Sequence, residues 1–190
     1  MNTLLNLHDF WFGRIELTEE YYRNRIPYWF FRNNSELDQW SQEFFKKKVS
    51  TPATPKERLS WIIFYDQLPR NAFREDHRAF AFDSLALDMT IRCLEIGDEK
   101  HLSLPERIFL YMPLEHSECN EHQDLAVEKF YELHREASKD IKHWTRLGLD
   151  KALEHQEVIR KFQRFPARNK KMGRISSPYE KIFLNNLALY

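Results

Sequence analysis

From Phe82 onward the apolar positions fall at Leu85, Ala86, Met89, Cys93 and Ile96. A spacing of three and four predicts an amphipathic helix, and Gly97 stands where a left-handed C-terminal residue is expected. Leu37, Trp40 and Phe44 form a shorter stripe. Ala126, Phe130, Leu133, Ala137, Ile141 and Trp144 continue one face as far as Gly148. Ala152, His155, Ile159 and Phe162 form another stripe, which stops at Phe165 because Pro166 disfavours α geometry in the residue before it. Three helix starts carry one signature, a hydroxyl residue followed three positions later by Glu with Pro in the first turn. They are Thr54-Pro55-Lys56-Glu57, Ser103-Leu104-Pro105-Glu106 and Ser177-Pro178-Tyr179-Glu180, each a predicted capping box. No segment alternates at period two, so the pattern predicts an all-α chain of about seven to nine helices. Their short connections suggest antiparallel hairpins stacked side by side, as in helical solenoids, within a single domain over residues 1–190.

Composition narrows the function classes. The chain has 4 glycines, where average usage of roughly 7% gives about 13, and no G-x-G or G-K-[ST] occurs, so Gly-rich phosphate cradles and the cofactors they hold are not expected. The 29 basic and 29 acidic residues cancel, which removes the overall field that non-specific nucleic-acid or membrane-surface binding needs. The 28 aromatics lie mostly at helical spacing with other apolar residues, a core pattern and not a nucleic-acid platform. No apolar run approaches the roughly 20 residues of a membrane span. The first dozen residues lack a basic region and a small-residue cleavage site. Cys93 and Cys119 form no C-x-x-C pair; both are expected to be reduced thiols, and the protein cytoplasmic.

Three polar clusters break the helical pattern. Asp66 continues the apolar face of Ile62 and Ile63 and needs a partner there; Arg70, Asn71 and Arg74 follow at once. A structural Asp–Arg pair at the helix end and a polar pocket wall both fit. The second cluster, Glu115-His116-Ser117-Glu118 through His122, contains neither H-E-x-x-H nor H-x-x-E-H, so no metal site is expected. Glu118 and Glu121 suit a helix N-terminus, and Ser117 can be the cap or a nucleophile. In the third cluster, residues 158–179 carry 7 basic side chains and no acidic one, leaving the other 168 residues at −7. Arg168 through Arg174 lie past Pro166, beyond reach of the helix-end explanation, and either bind an anionic ligand or pair with the acidic remainder of the fold. His155 lies on an apolar stripe, the usual place of a core histidine.

Asp9-Phe10-Trp11-Phe12-Gly13, Asp66-Gln67-Leu68-Pro69-Arg70-Asn71 with Arg74, Ala79-Phe80-Ala81-Phe82-Asp83, Glu115-His116-Ser117-Glu118 with Gln123, and Arg164-Phe165-Pro166-Ala167-Arg168-Asn169 occur in that order. So do His155, Phe162, Gly173-Arg174, Ser176-Ser177 and Glu180 to Leu184. Together they resemble the bacterial domain-of-unknown-function family 924. The resemblance implies a tetratricopeptide-like all-α fold and names no reaction. Its recurrent polar motifs map onto Asp66, Arg70, Asn71, Asp83, Glu115, His116, Ser117, His155, Arg164, Arg168, Asn169 and Arg174. This chain departs from the family pattern at Ala167, usually His, at Gln163, usually Gly, and at Gln156-Glu157, usually Arg-Asp. The leading expectation is a concave polar pocket for a small anion or a carboxylate-bearing peptide end. The alternative is a hydrolase using His116 or His155 as general base, with Ser117 or water as nucleophile.

Overall fold

A computed structural model describes residues 2–30 and 35–187. Among the described residues there are nine α-helices and no strand. They are α1 (Thr3–Phe12), α2 (Glu19–Phe30), α3 (Ser35–Phe45), α4 (Pro55–Ala72), α5 (Asp83–Ile96), α6 (Leu104–His116), α7 (Asn120–Glu136), α8 (Lys142–Phe162) and α9 (Pro178–Leu187). Short 3-10 turns stand at His77–Phe80, Asp98–His101 and Pro166–Arg168. All three capping boxes form: Thr54 with Glu57, Ser103 with Glu106, and Ser177 with Glu180. Gly97 closes α5 at φ 76°, a backbone state that costs glycine nothing.

Each helix from α3 to α8 packs on its chain neighbour, except that α5 reaches α6 past a 3-10 turn; α4 also meets α6, and α6 meets α8. Helices α4, α6 and α8 thus follow one another in one layer, with α5 and α7 in the other. The N-terminal turns of α4 and α6 are both tied to α1, by Asn2 with Glu57 and by His8 with Glu106. Asp66, in the C-terminal half of α4, touches His116, the last residue of α6, so the two helices run in the same direction. Their carbonyl ends, where the helix macrodipole favours cations, converge. Both helices are deeply buried. Leu59, Ile62, Ile63 and Leu68 of α4 and Leu110 and Leu114 of α6 lose all solvent contact, each burial contributing roughly 1.5–3 kcal/mol. Trp11, Phe12, Trp29 and Phe109 interlock edge to face beside them.

Several readings of the sequence change. The face from Ala126 to Trp144 is two antiparallel helices, broken at residues 137–141. Gly148 ends nothing: it lies inside α8, where a Cβ would stand 3.1 Å from the Phe130 ring, and lets α7 and α8 approach. Pro69 lies inside α4, which continues through it to Ala72. Leu85 and Ile96 of the α5 stripe are exposed, and the buried face is Ala86, Thr90 and Cys93. Helices α1 and α2 announce themselves weakly, α1 only through the Asn2 cap, whose side chain accepts from the Leu4 and Leu5 amides.

Candidate functional site

The converging ends of α4 and α6 hold a buried ionic cluster. Asp66 on α4 is 1% exposed. It receives the Arg70 guanidinium at 3.1 Å and meets His116 Nδ1 at 2.7 Å. Burial alone would raise its pKa, but Arg70 and His116 outweigh burial and hold it below the carboxylate range. Arg70 also grips Asp83, the first residue of α5, through two parallel bonds of 2.9 Å, the fork geometry that favours arginine over lysine. Arg168 reaches the same Asp83 carboxylate at 3.2 Å and lies over the rings of Phe80 and Phe165. Burial and the nearby Arg70 lower the Arg168 pKa to about 10, which leaves it a cation at neutral pH. Two aspartates and two arginines therefore cancel.

A second group adjoins the first. Glu115 on α6 is buried; burial first and Asp66 second push its pKa up to about 8, so it is a neutral acid at pH 7. His155 on α8 stands with Nδ1 at 3.7 Å from the Glu115 carboxylate oxygen Oε2, too far for a hydrogen bond. Glu115 Oε1 and His155 Nδ1 are buried and have no hydrogen-bond partner. Burial lowers the His155 pKa to about 3, helped by His116 and Arg168, so the ring is neutral. Burial, with Arg70, also lowers the His116 pKa. The His155 side chain keeps 33% of its exposure and lines a groove of about 480 Å³ between α8, the turn at Phe165 and Phe183 of α9. Phe162, Phe165 and Phe183 wall it, and Lys151 and Lys161 stand on its rim. The aromatic wall was not legible as a site, since Phe162 sits on a core-like stripe.

The remaining candidates lie elsewhere. Asn71 accepts from Arg74, which is forked onto Asp38 of α3. Arg164 is forked onto Glu180, which Asn169 also touches, and this knot holds α9 to the turn before it. Arg174 is forked onto Glu118. The Ser117 hydroxyl meets His122 Nδ1 at 2.9 Å and accepts from the Cys119 amide, so its imidazole partner is neither His116 nor His155. Gln123, fully buried, donates to the Glu115 and Ser117 carbonyls at 2.7 Å each and fixes the end of α6. Among the described residues no group of three or more His, Cys, Asp or Glu side chains is placed to hold a metal, and no helix is long and apolar enough to cross a membrane.

Fold and cluster together define an all-helical protein with a buried guanidinium–carboxylate knot beside an unpartnered acid and imidazole. Residues 7–187 match the family described as bacterial protein of unknown function (DUF924), and the chain belongs to that family. Among solved structures it is similar to the protein of unknown function ATU0120 from Agrobacterium tumefaciens. That likeness has a TM-score of 0.65 and 24% identity, covering 96% of this chain and 97% of the other, and it concerns the fold. No curated protein matches the chain.

Proposed function

We propose that the protein binds a small organic anion, a carboxylate carried on an apolar body, in the groove between α8 and α9. One observation carries the reading: Glu115 Oε1 and His155 Nδ1 lie buried without partners where His155 lines that groove. Leaving a buried polar group unpaired costs about 1–3 kcal/mol, and a ligand oxygen between the two side chains relieves both. Glu115, neutral, donates its proton to that oxygen. His155, neutral too, carries its proton on whichever nitrogen the ligand favours. Arg168 supplies the positive field, since Phe165 touches both its guanidinium and the His155 ring. The apolar body lies along Phe162 and Phe183.

In this reading Arg70, Asp83, Asp66 and His116 brace the site, while Asn71, Ser117, Arg164, Asn169 and Arg174 hold the surrounding scaffold. The whole chain acts as one domain in the cytoplasm, with α4, α6 and α8 as the inner layer of a tetratricopeptide-like stack. Hydrolysis with His116 or His155 as the base of Ser117 draws less support, because the imidazole that meets the Ser117 hydroxyl is that of His122. Isothermal titration with 4-phenylbutanoate and 4-phenylbutan-1-ol tests the proposal. The acid should bind at least about tenfold tighter, the size expected of a charge-assisted hydrogen bond, and His155→Ala and Phe183→Ala should weaken it. Equal affinity for acid and alcohol, or no binding of either, refutes it.

A further inference from the structure

We propose that the exposed stripe of α9 is a two-fold interface on which a second copy of this chain docks, helix antiparallel to helix. The inference does not depend on what the groove holds. The stripe follows from how α9 is anchored. Glu180 is 3% exposed because the Arg164 fork and Asn169 draw it inward. Phe183 faces the groove, its ring 4.9 Å from that of Phe162. With about 3.6 residues per turn, the other side of the helix carries Tyr179, Ile182 and Asn186. Their spacing of three and four is the one at which a helix packs along another helix. Tyr179 is 78% and Ile182 59% exposed. Ile175, 90% exposed, lies beside the first turn of α9, since Arg164 bonds both its carbonyl and Glu180. Single exposed apolar residues need no explanation. A helix that turns its glutamate in and its tyrosine and isoleucine out presents an association surface.

The charges beside the stripe select its occupant. Lys161 lines one hollow with Tyr179, and Glu157, one turn earlier on α8, lines the groove with Phe183. Among the described residues neither makes an ion pair; Lys161 meets only the Phe162 ring. A face with a free charge of each sign repels in part any uniformly charged partner, whether an anionic lipid surface or an acidic peptide. It complements itself, because in an isologous interface two positions that touch across the axis do so twice. Antiparallel pairing of α9 about Ile182 sets Tyr179 against the partner's Asn186, phenol to amide. It also brings Lys161, beside the start of α9, to the partner's Glu157. The centre is then apolar and the rim polar and charged, the usual anatomy of an interface between proteins.

Sedimentation velocity of the full chain tests this. Between about 1 and 200 µM, the range of a small transient interface, wild type should pass from monomer to dimer. Ile182→Asp puts a charge at the centre of the contact and should weaken dimerisation at least about tenfold. Ile182 is exposed, so the fold is not at stake, and an unchanged circular-dichroism melt checks that. Glu157→Lys and Lys161→Glu give a second readout. Each alone sets like charges across the two-fold and should weaken dimerisation at least about fivefold. An equimolar mixture of the two pairs opposite charges at both contacts and should restore wild-type association. A monomer at every concentration, a dimer that survives Ile182→Asp, or a mixture no more associated than its components overturns the proposal. Wild type that stays monomeric and co-sediments with phosphatidylserine vesicles overturns it as well, and reassigns the stripe to a lipid surface.

Discussion

Glu115→Gln should flatten the dependence of stability on pH above 6.5. The Glu115 carboxyl is 5% exposed and titrates at about 8 in the folded chain, against 4.5 for a free glutamate. Between those values the unfolded chain has released a proton that the folded chain keeps, so stability falls as pH rises. Each unit is worth about 1.4 kcal/mol, and the full window is on the order of 5 kcal/mol. His155 works in the opposite sense: its folded pKa of about 3 lies below the ordinary 6.5, so its contribution is complete above 6.5 and is lost on acidification. From 4.5 to 6.5 the two slopes oppose each other. Between 6.5 and 8 Glu115 dominates, because the lowered carboxylates change below that range and Cys93 above it, while His116 and His155 only finish losing their protons in the unfolded chain. Asp66, His116, Lys151, Arg70 and Arg168 surround the pair; the folded Asp66 carboxyl loses its proton well below that interval and the Arg168 guanidinium keeps its own throughout it. Urea unfolding followed by tryptophan fluorescence should show wild type losing about 1 kcal/mol from pH 6.5 to 8, the two imidazoles offsetting part of the Glu115 loss, and Glu115→Gln losing none. Parallel curves would mean that Glu115 is ionised in the folded state, and the acid role would fall with it.

Gln163 closes α8 in the left-handed region at φ 57°, where a side chain costs roughly 1 kcal/mol over glycine. Gln163→Gly should raise the melting temperature by about 2–4 °C, measured by circular dichroism. Gly148→Leu should destabilise by about 1–3 kcal/mol through overpacking, because the Phe130 ring already stands 3.1 Å from the Cβ position; denaturant titration checks this. Arg58→Met strands the buried Asp98 carboxylate that Arg58 grips at 2.5 and 2.8 Å and should cost about 3–5 kcal/mol in the same assay. Asp83→Ala removes the carboxylate shared by Arg70 and Arg168; it should lower the melting temperature, and added acetate should restore more of it than it adds to wild type.

Local chemistry is legible in the sequence because it acts over a few residues. A hydroxyl, a proline and a glutamate in fixed order need nothing else to start α4, α6 or α9. Asp66 stands out for the same reason, as a charge on an apolar face. Partner choice is not local. Nothing near Asp66 says that its imidazole is His116, 50 positions away, or that Arg168 shares Asp83 with Arg70 across 85. The basic run at 158–179 is conspicuous, yet Arg160, Arg164, Arg168 and Arg174 each find a carboxylate, on Asp124, Glu180, Asp83 and Glu118. The feature with most chemical interest is a 3.7 Å gap between Glu115 and His155, and a gap leaves no mark in a string of letters. Helices α1 and α2 were hard to see because their aromatic residues point to several neighbours, which blurs the period.

The Asp83–Arg168 contact spans 85 positions and couples the arginine pair to the completeness of the polypeptide. During synthesis α4 and α5 can emerge and pair Arg70 with Asp83 long before the second guanidinium exists, and closing so long a loop is entropically slow. A nascent chain halted after α8 would already hold most of its helices and still lack Arg168 and the Phe183 wall. Occupancy of the groove would then report that folding has reached its final step, a property that secondary-structure signals, saturated much earlier, do not have.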